Sequence, residues 1–453
     1  MSVSVCRRSS AWAVLALALL TCSFTQNLFA ANVVVGNCKP LVQFSTISSA
    51  IAAVPANSTI NICPGTYGEQ LLITKNLTLI GESSNGSAGV NASGANNPTI
   101  VSPAGGVAVN AQDLFDNSGI AAQIAVVTPS GKAAIKVNIS NITVDGSNNL
   151  IAACAPDLVG IYYQNANGTV NHVATRNQIP GAGLNGGFGG CQTGLAIFAE
   201  SGYLSGGTST ITIENSSVHD YAKNGITADG LGMTATITGN YVVGAGATTV
   251  VAQNGIQVSD SANGKVSNNT VTDDVYISPD GGPYYSATGI LLYDSGGSSS
   301  QNLSVTGNTV SNTQGAIVAF GDIYGTADWN VVNNNKITTS PAAGPYMLDG
   351  IDLCSNENVA NTNTVFNSSG AGVHIDSQCT EITGPSGNGT SVSGNTVNEA
   401  CAGVLTGSGS GSSASGTVSF NVTQTVAAGD SCPTNNTDAK TRLIKPHYSP
   451  LRH

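Results

Sequence analysis

The chain has 453 residues, only 9% of them charged, with a net charge of -11 and 55 glycines. An acidic chain without a basic stripe is excluded as a nucleic-acid binder, because phosphate binding needs clustered Lys and Arg. With 41% hydrophobic residues in a regular pattern, it is also excluded from the disordered class.

Residues 1–30 read as a secretory signal. Arg7 and Arg8 form a positive start, Ala11 to Leu20 is an apolar core too short to span a bilayer, and Leu28-Phe29-Ala30 is a small-residue cleavage site. No later stretch is long and apolar enough for a membrane span. The expected location is secreted or periplasmic. Of ten cysteines, Cys6 and Cys22 lie in the signal, and the remaining even number points to disulfides. Cys38 with Cys63 and Cys154 with Cys191 are the sequence-local pairs. Cys354, Cys379, Cys401 and Cys432 can pair in more than one way. No Cys-x-x-Cys suggests zinc.

Residues 31–435 are expected to form one β-helix domain, with a cap and first coils over 31–83. A short amphipathic helix is predicted over 43–55, capped by Ser45, with Ile47, Ile51 and Val54 on one face before Pro55. Strands follow at Thr59–Ile62, Leu71–Ile73 and Leu77–Ile80. Residues 84–134 read as irregular. From 135 to 425 a repeat is clear. Runs such as Gly225-Ile226-Thr227-Ala228, Gly255-Ile256-Gln257-Val258 and Gly350-Ile351-Asp352-Leu353 alternate with Ile237-Thr238-Gly239-Asn240, Val266-Ser267-Asn268-Asn269 and Val305-Thr306-Gly307-Asn308. The glycines fall at 160, 194, 225, 255, 289, 315, 350, 372 and 403, roughly thirty residues apart. A short strand cannot bury its apolar face alone, so the units must stack. The fold class is therefore all-β: a single-stranded right-handed parallel β-helix (solenoid) with a short N-terminal capping helix. Asn141, Asn171, Asn215, Asn240, Asn269, Asn308, Asn335 and Asn395 recur in step and are expected to form a side-chain amide ladder. The Gly/Ser tract 406–416 reads as a flexible loop. Residues 436–453 form a basic tail that either lies back over the last coil or is disordered.

Phe44 to Ile51, Ile62-Cys63-Pro64-Gly65-Thr66-Tyr67-Gly68-Glu69 and Leu77 to Gly81 resemble the N-terminal segment of the pectin lyase-like superfamily. That resemblance implies a parallel β-helix that acts on polysaccharide as a lyase, hydrolase, esterase or epimerase. Gly65-x-Tyr67-x-Glu69 is similar to the first motif of pectin methylesterases, whose Gly-Arg-Pro-Trp is missing here. Asp349-Gly350-Ile351-Asp352 is similar to part of a polygalacturonase motif whose Gly-His-Gly is missing.

Chemistry is expected on the outward positions, Gly+2 and Gly+4, which line up from coil to coil. Asp352, His374, Asp376 and Asp349 are the catalytic candidates, as paired carboxylates and an imidazole on a solvent-facing groove. Tyr284, Tyr285, Tyr293, Asp294, Asp322 and Trp329 are the substrate-binding candidates, since flat rings stack on sugars. A lyase reading would use Lys223 near His219 and Asp220, with Asp273 and Asp274 contributing to calcium. Calcium is the one cofactor these residues suggest, and no loop carries its ligand spacing. The partner is a polysaccharide, and the chain is expected to be monomeric. Two functions stay open: a hydrolase or lyase cleaving a cell-wall or matrix glycan, and a non-catalytic surface protein binding glycan or protein along the same face.

Overall fold

The computed structural model describes residues 29–82, 97–181, 190–203, 206–277, 285–296, 303–321, 330–339, 349–378, 386–433 and 447–448. Residues 1–28 of the signal-like segment, Cys379, Tyr284, Asp322 and Trp329 lie outside them.

Strand follows strand in an ascending parallel coil. One sheet has 14 strands, all paired in parallel, and a second network has 23 strands, with an antiparallel pairing at Ala111↔Ile120. Parallel neighbours joined by a crossover in one sheet take the right-handed sense, so the architecture is the expected right-handed parallel β-helix. Register is set by alternation. Ile197, Ile226, Ile256, Ile290, Ile317 and Ile351 pair in succession. All point into one continuous core that runs from Val33 to Val404. A slip of one residue would turn that whole column outward, which is why the period is so strictly kept. Gly255 and Gly350 are needed for the stacking itself. A Cβ on Gly350 would stand 2.4 Å from Val365, and one on Gly255 2.4 Å from Val271.

The amide ladder exists, on a partly different set of residues. Asn240, Asn269, Asn308, Asn335 and Asn363 each pass a side-chain N–H to the next Asn Oδ1 at 3.0 Å, the last acceptor being Asn395. Each ladder Asn also donates to a backbone carbonyl of another coil, as Asn269 does to Ile237. Asn141 and Asn215 instead hold the position just before the ladder, at φ 59° and 51°, where Gly239 and Gly307 stand in later coils. Asn171 lies one place earlier still, before His172 at φ 53°. Ladder Asn thus follows a left-handed residue, which accounts for the Gly-Asn and Asn-Asn tails.

The capping helix, α1, spans Ile47–Ala53 and its N-cap is Thr46, not Ser45. Glu69 completes the cap: its two oxygens accept the Ile47 and Ser48 amides, each at 2.8 Å. The Gly65-x-Tyr67-x-Glu69 run therefore has a structural reason here, with the Tyr67 hydroxyl donating to the Cys63 carbonyl at 2.8 Å. Residues 119–127, expected to be irregular, form a nearly fully buried strand. Within the Gly/Ser tract, Ser413–Ser415 pairs with Ser391–Ser393 as a regular rung. His447–Tyr448 in the tail pairs with Tyr285–Ser286, several coils back from the last one. Cys38–Cys63, Cys154–Cys191 and Cys401–Cys432 are disulfides, and Cys354 is disulfide-bonded as well.

Candidate functional site

The outward columns do line up as the spacing predicts. Tyr162, Phe198, Thr227, Gln257, Leu291, Val318, Asp352, His374 and Leu405 pair in succession, seven of them at Gly+2, with Phe198 at Gly194+4 and Val318 at Gly315+3. They differ from expectation in being covered: every one of these residues is buried. The column itself carried that signal, because Tyr, Phe, Leu and Val on an outward face need a covering layer.

Asp352 and His374 stand side by side on neighbouring strands, as expected. His374 Nδ1 lies 2.9 Å from Asp349 Oδ2, and Nε2 lies 3.4 Å from Asp430 Oδ1. Asp376 follows the His374 strand directly, and its Oδ1 accepts the Gln378 amide at 2.7 Å. All four expected residues thus come together, but in the interior: His374 and Asp376 are 0% exposed, Asp352 2% and Asp349 6%. The solvent-facing groove expected around them is not found there. Asp430 was not foreseen. It sits far along the chain, and the pairing of Val418–Ala428 with Thr396–Thr406, the Cys401–Cys432 bond and its contacts with Ser377 bring it in. Burial pushes its carboxyl up, but bonds from His374 and Ser377 more than offset this and hold it below the usual range.

The aromatic candidates divide. Tyr293 is buried and stacked on Phe320, with ring centroids 5.7 Å apart at 17°, so it packs the wall. Asp294 is a half-buried turn residue at φ 46°. Tyr285 contributes backbone pairing to the tail. Lys223 is fully buried, donates to the Ala252 carbonyl at 2.6 Å, and is pushed down to about 7 by burial. It faces no open surface as a lyase base must. Asp274 accepts from the Tyr221 hydroxyl inside the wall at 2.6 Å. Among the described residues, Asp273 and Asp274 join no set of three cation ligands.

A second polar centre lies nearer the N-terminal end, where the wall strands Leu195–Glu200, Asn224–Asp229 and Asn254–Ser259 end. The Tyr203 hydroxyl is 2.7 Å from Asp229 Oδ2 and 2.9 Å from Asp260 Oδ2. A phenol has one proton. Two carboxyl oxygens at hydrogen-bond distance from it require a second, so one of the two carboxyls is protonated. Burial, then the neighbouring Asp260, raises Asp229 to about 8. The same reasoning applies to Glu200, which is fully buried. The Tyr162 hydroxyl contacts both its Oε1 and the Gln112 carbonyl, and the Leu114 amide donates to that Oε1 at 2.9 Å. Burial and then Asp113 hold Glu200 well above the usual carboxylate range. Glu200 Oε2 and Asp229 Oδ1 are buried with no hydrogen-bond partner among the described residues.

Chain neighbours of this centre, though not Tyr203, Asp229, Asp260 or Glu200 themselves, line a groove of about 1150 Å³. Leu114 lines it, as do Gly206 and Gly207 beyond Tyr203, Leu231 and Gly232 beyond Asp229, and Asn263 beyond Asp260. Gln164, Asn165, Asn167, Thr210 and Thr234 extend the lining over successive coils, and Lys132 is its one charged residue. The groove is long, polar and close to neutral. It was illegible in the sequence because the starts of the strands at Asn167, Thr210, Thr234 and Asn263 form it together with turns and the 128–134 segment, which no local pattern marks as one surface.

No known family model matches the chain, and no curated protein matches it in sequence. Solved structures do. The A-module of the mannuronan C-5 epimerase AlgE4 from Azotobacter vinelandii is 13% identical, covering 90% of this chain and 94% of that one, with a TM-score of 0.49. The surface adhesin PfbA of Streptococcus pneumoniae is 13% identical over 84% and 87%, with a TM-score of 0.42. A lacto-N-biosidase from Eubacterium ramulus is 10% identical over 88% of this chain and 68% of that chain, with a TM-score of 0.44. The likeness is one of architecture. By its own topology and register, the chain is a parallel β-helix.

Proposed function

We propose that the protein acts on a neutral polysaccharide held in the groove beside Tyr203, Asp229 and Asp260, in an oxidising extracellular compartment. The observation that supports this reading is an open, hydroxyl- and amide-lined groove with Lys132 as its one charge, whose lining residues follow in the chain directly after a carboxyl pair bridged by the Tyr203 hydroxyl. Amide and hydroxyl side chains pair with sugar hydroxyls, and a groove continuous over several coils suits a linear chain. The protonated carboxyl would give its proton to a glycosidic oxygen. Its ionised partner, held close through Tyr203, would attack the anomeric carbon as the leaving sugar departs, and water that gives its proton back to the first carboxyl would then release the second sugar. Asp260 and Tyr203, both half-buried, are nearer the open side than Asp229. Disulfides at Cys38–Cys63, Cys154–Cys191 and Cys401–Cys432 suit export to an oxidising compartment.

The acid/base role expected for Asp349, Asp352, His374 and Asp376 needs substrate access, which their burial does not offer. Burial of Asp229 also favours a second reading, that the groove binds glycan without cleaving it. A screen of neutral polysaccharides for new reducing ends, with binding measured in parallel, separates the readings. Cleavage that falls at least a hundredfold in Asp260→Asn while binding persists supports the acid/base reading. Binding without cleavage in the wild type supports the second. Cleavage unchanged in Asp229→Asn and Asp260→Asn but lost in His374→Gln would return the chemistry to the His374 group. No binding to any neutral glycan would overturn the proposal.

A further inference from the structure

We propose that His374, Asp376 and Asp430 form a binding site for one divalent transition-metal ion, of the zinc or manganese class. This goes beyond the groove reading and does not depend on it. The site lies five wall strands further along, about 24 Å at a strand spacing of about 4.8 Å.

The geometry resembles a ligand set more than a simple ion pair. Asp349 Oδ2 sits 2.9 Å from His374 Nδ1, and its other oxygen accepts the Ala371 amide at 2.7 Å. A carboxylate fixed on one imidazole nitrogen orients the ring and leaves Nε2 to face a metal. Nε2 faces Asp430 Oδ1 at 3.4 Å. That is longer than a charge-assisted hydrogen bond of about 2.7–2.9 Å. It is close to the separation of two ligands about 2.0–2.1 Å from one tetrahedral ion. One donor atom each from His374, Asp376 and Asp430 lies within 4.8 Å of the others, and all three residues are buried.

Each carboxylate is held from behind. Ser377 donates its amide to Asp430 Oδ1 and its hydroxyl to Oδ2, both at 2.8 Å, and the Gln378 amide donates to Asp376 Oδ1 at 2.7 Å. Asp352 belongs to the adjoining donor sets and adds a fourth carboxylate to this interior. Cys354 is disulfide-bonded and supplies no thiolate. An imidazole with carboxylate oxygens suits zinc or manganese, whereas calcium takes six to eight oxygens.

The test uses the full, oxidised chain, stripped with a chelator and titrated with ZnCl2, MnCl2 or CaCl2 by calorimetry, with melting followed in parallel. One Zn2+ or Mn2+ per chain and a higher Tm are expected, with calcium at least tenfold weaker. Asp430→Asn and His374→Gln should each weaken binding at least tenfold, while His172→Ala should not. Binding of equal strength in all variants would show adventitious surface sites and overturn the proposal, as would no binding by the wild type. If both variants fail to fold, CoCl2 added to the wild type decides. Visible d–d bands of a low-symmetry site that zinc abolishes are expected, and the octahedral aquo-ion spectrum alone would refute the site.

Discussion

At the scale of single residues, protons and burial decide most of the behaviour. Asp229 is raised to about 8 by burial and Asp260. A raised folded pKa means the folded state holds the proton more tightly. Its contribution is complete below the unfolded value near 4 and is lost as pH rises through about 8. The slope is about 1.4 kcal/mol per pH unit for one such group. Urea midpoints of the wild type should therefore fall between pH 4 and 8, and Asp229→Asn should flatten that fall. An unchanged profile in the variant would mean Asp229 is ionised throughout. Asp430 runs the other way. Its folded value is depressed, so its contribution is present above the unfolded value and lost as pH falls through the folded one. Asp430→Asn should remove part of the acid-side loss of Tm below pH 4. Little of this was legible in the sequence. Spacing placed Asp352 beside His374, but nothing local marks Asp430, Tyr203 or Glu200 as partners, because long-range contacts bring each to its site.

At the scale of the element, the ladder and the stacked glycines set the coil. Asn308 gives one N–H to Asn335 and one to the Val266 carbonyl, and receives from Asn269. Removing its amide leaves buried groups of other coils unpaired, at about 1–3 kcal/mol each. Asn308→Ala should lower Tm more than Asn395→Ala at the end of the ladder, and equal losses would mean the rungs act independently. Gly350→Ala should cost at least as much as Asn308→Ala, since the added Cβ meets Val365 at 2.4 Å. These features were the most legible, because strand period and the Gly-Asn turn are local. The ladder's true register was not. Asn141 and Asn215 share the composition of ladder residues but occupy the left-handed turn, and only stacking distinguishes the two positions.

At the scale of the whole molecule, the two ends of the solenoid differ. Helix α1 closes the N-terminal end over Ile60 and Ile62. The last long strand, Val418–Ala428, pairs on one side with Thr396–Thr406 and exposes Val418, Phe420 and Val426. Amide exchange should be fastest there among the strands and slowest around Ile226 to Ile290, because stability in a stacked array falls toward an uncovered end. The wall between the ends explains why outward did not mean exposed. Tyr293, Phe320 and Leu291 form an apolar cluster on it, so the polar groups between such clusters are enclosed with them. Open polar surface survives instead at the corner beside Asn165, Thr210 and Thr234.

A crystal structure with a neutral oligosaccharide from the best-binding polysaccharide tests the functional account most directly. The sugar chain should lie along the corner past Asn167 and Thr234, with a glycosidic oxygen within hydrogen-bond reach of Asp260 or Asp229. A sugar bound along another wall, or against the His374 group with the corner empty, would contradict it.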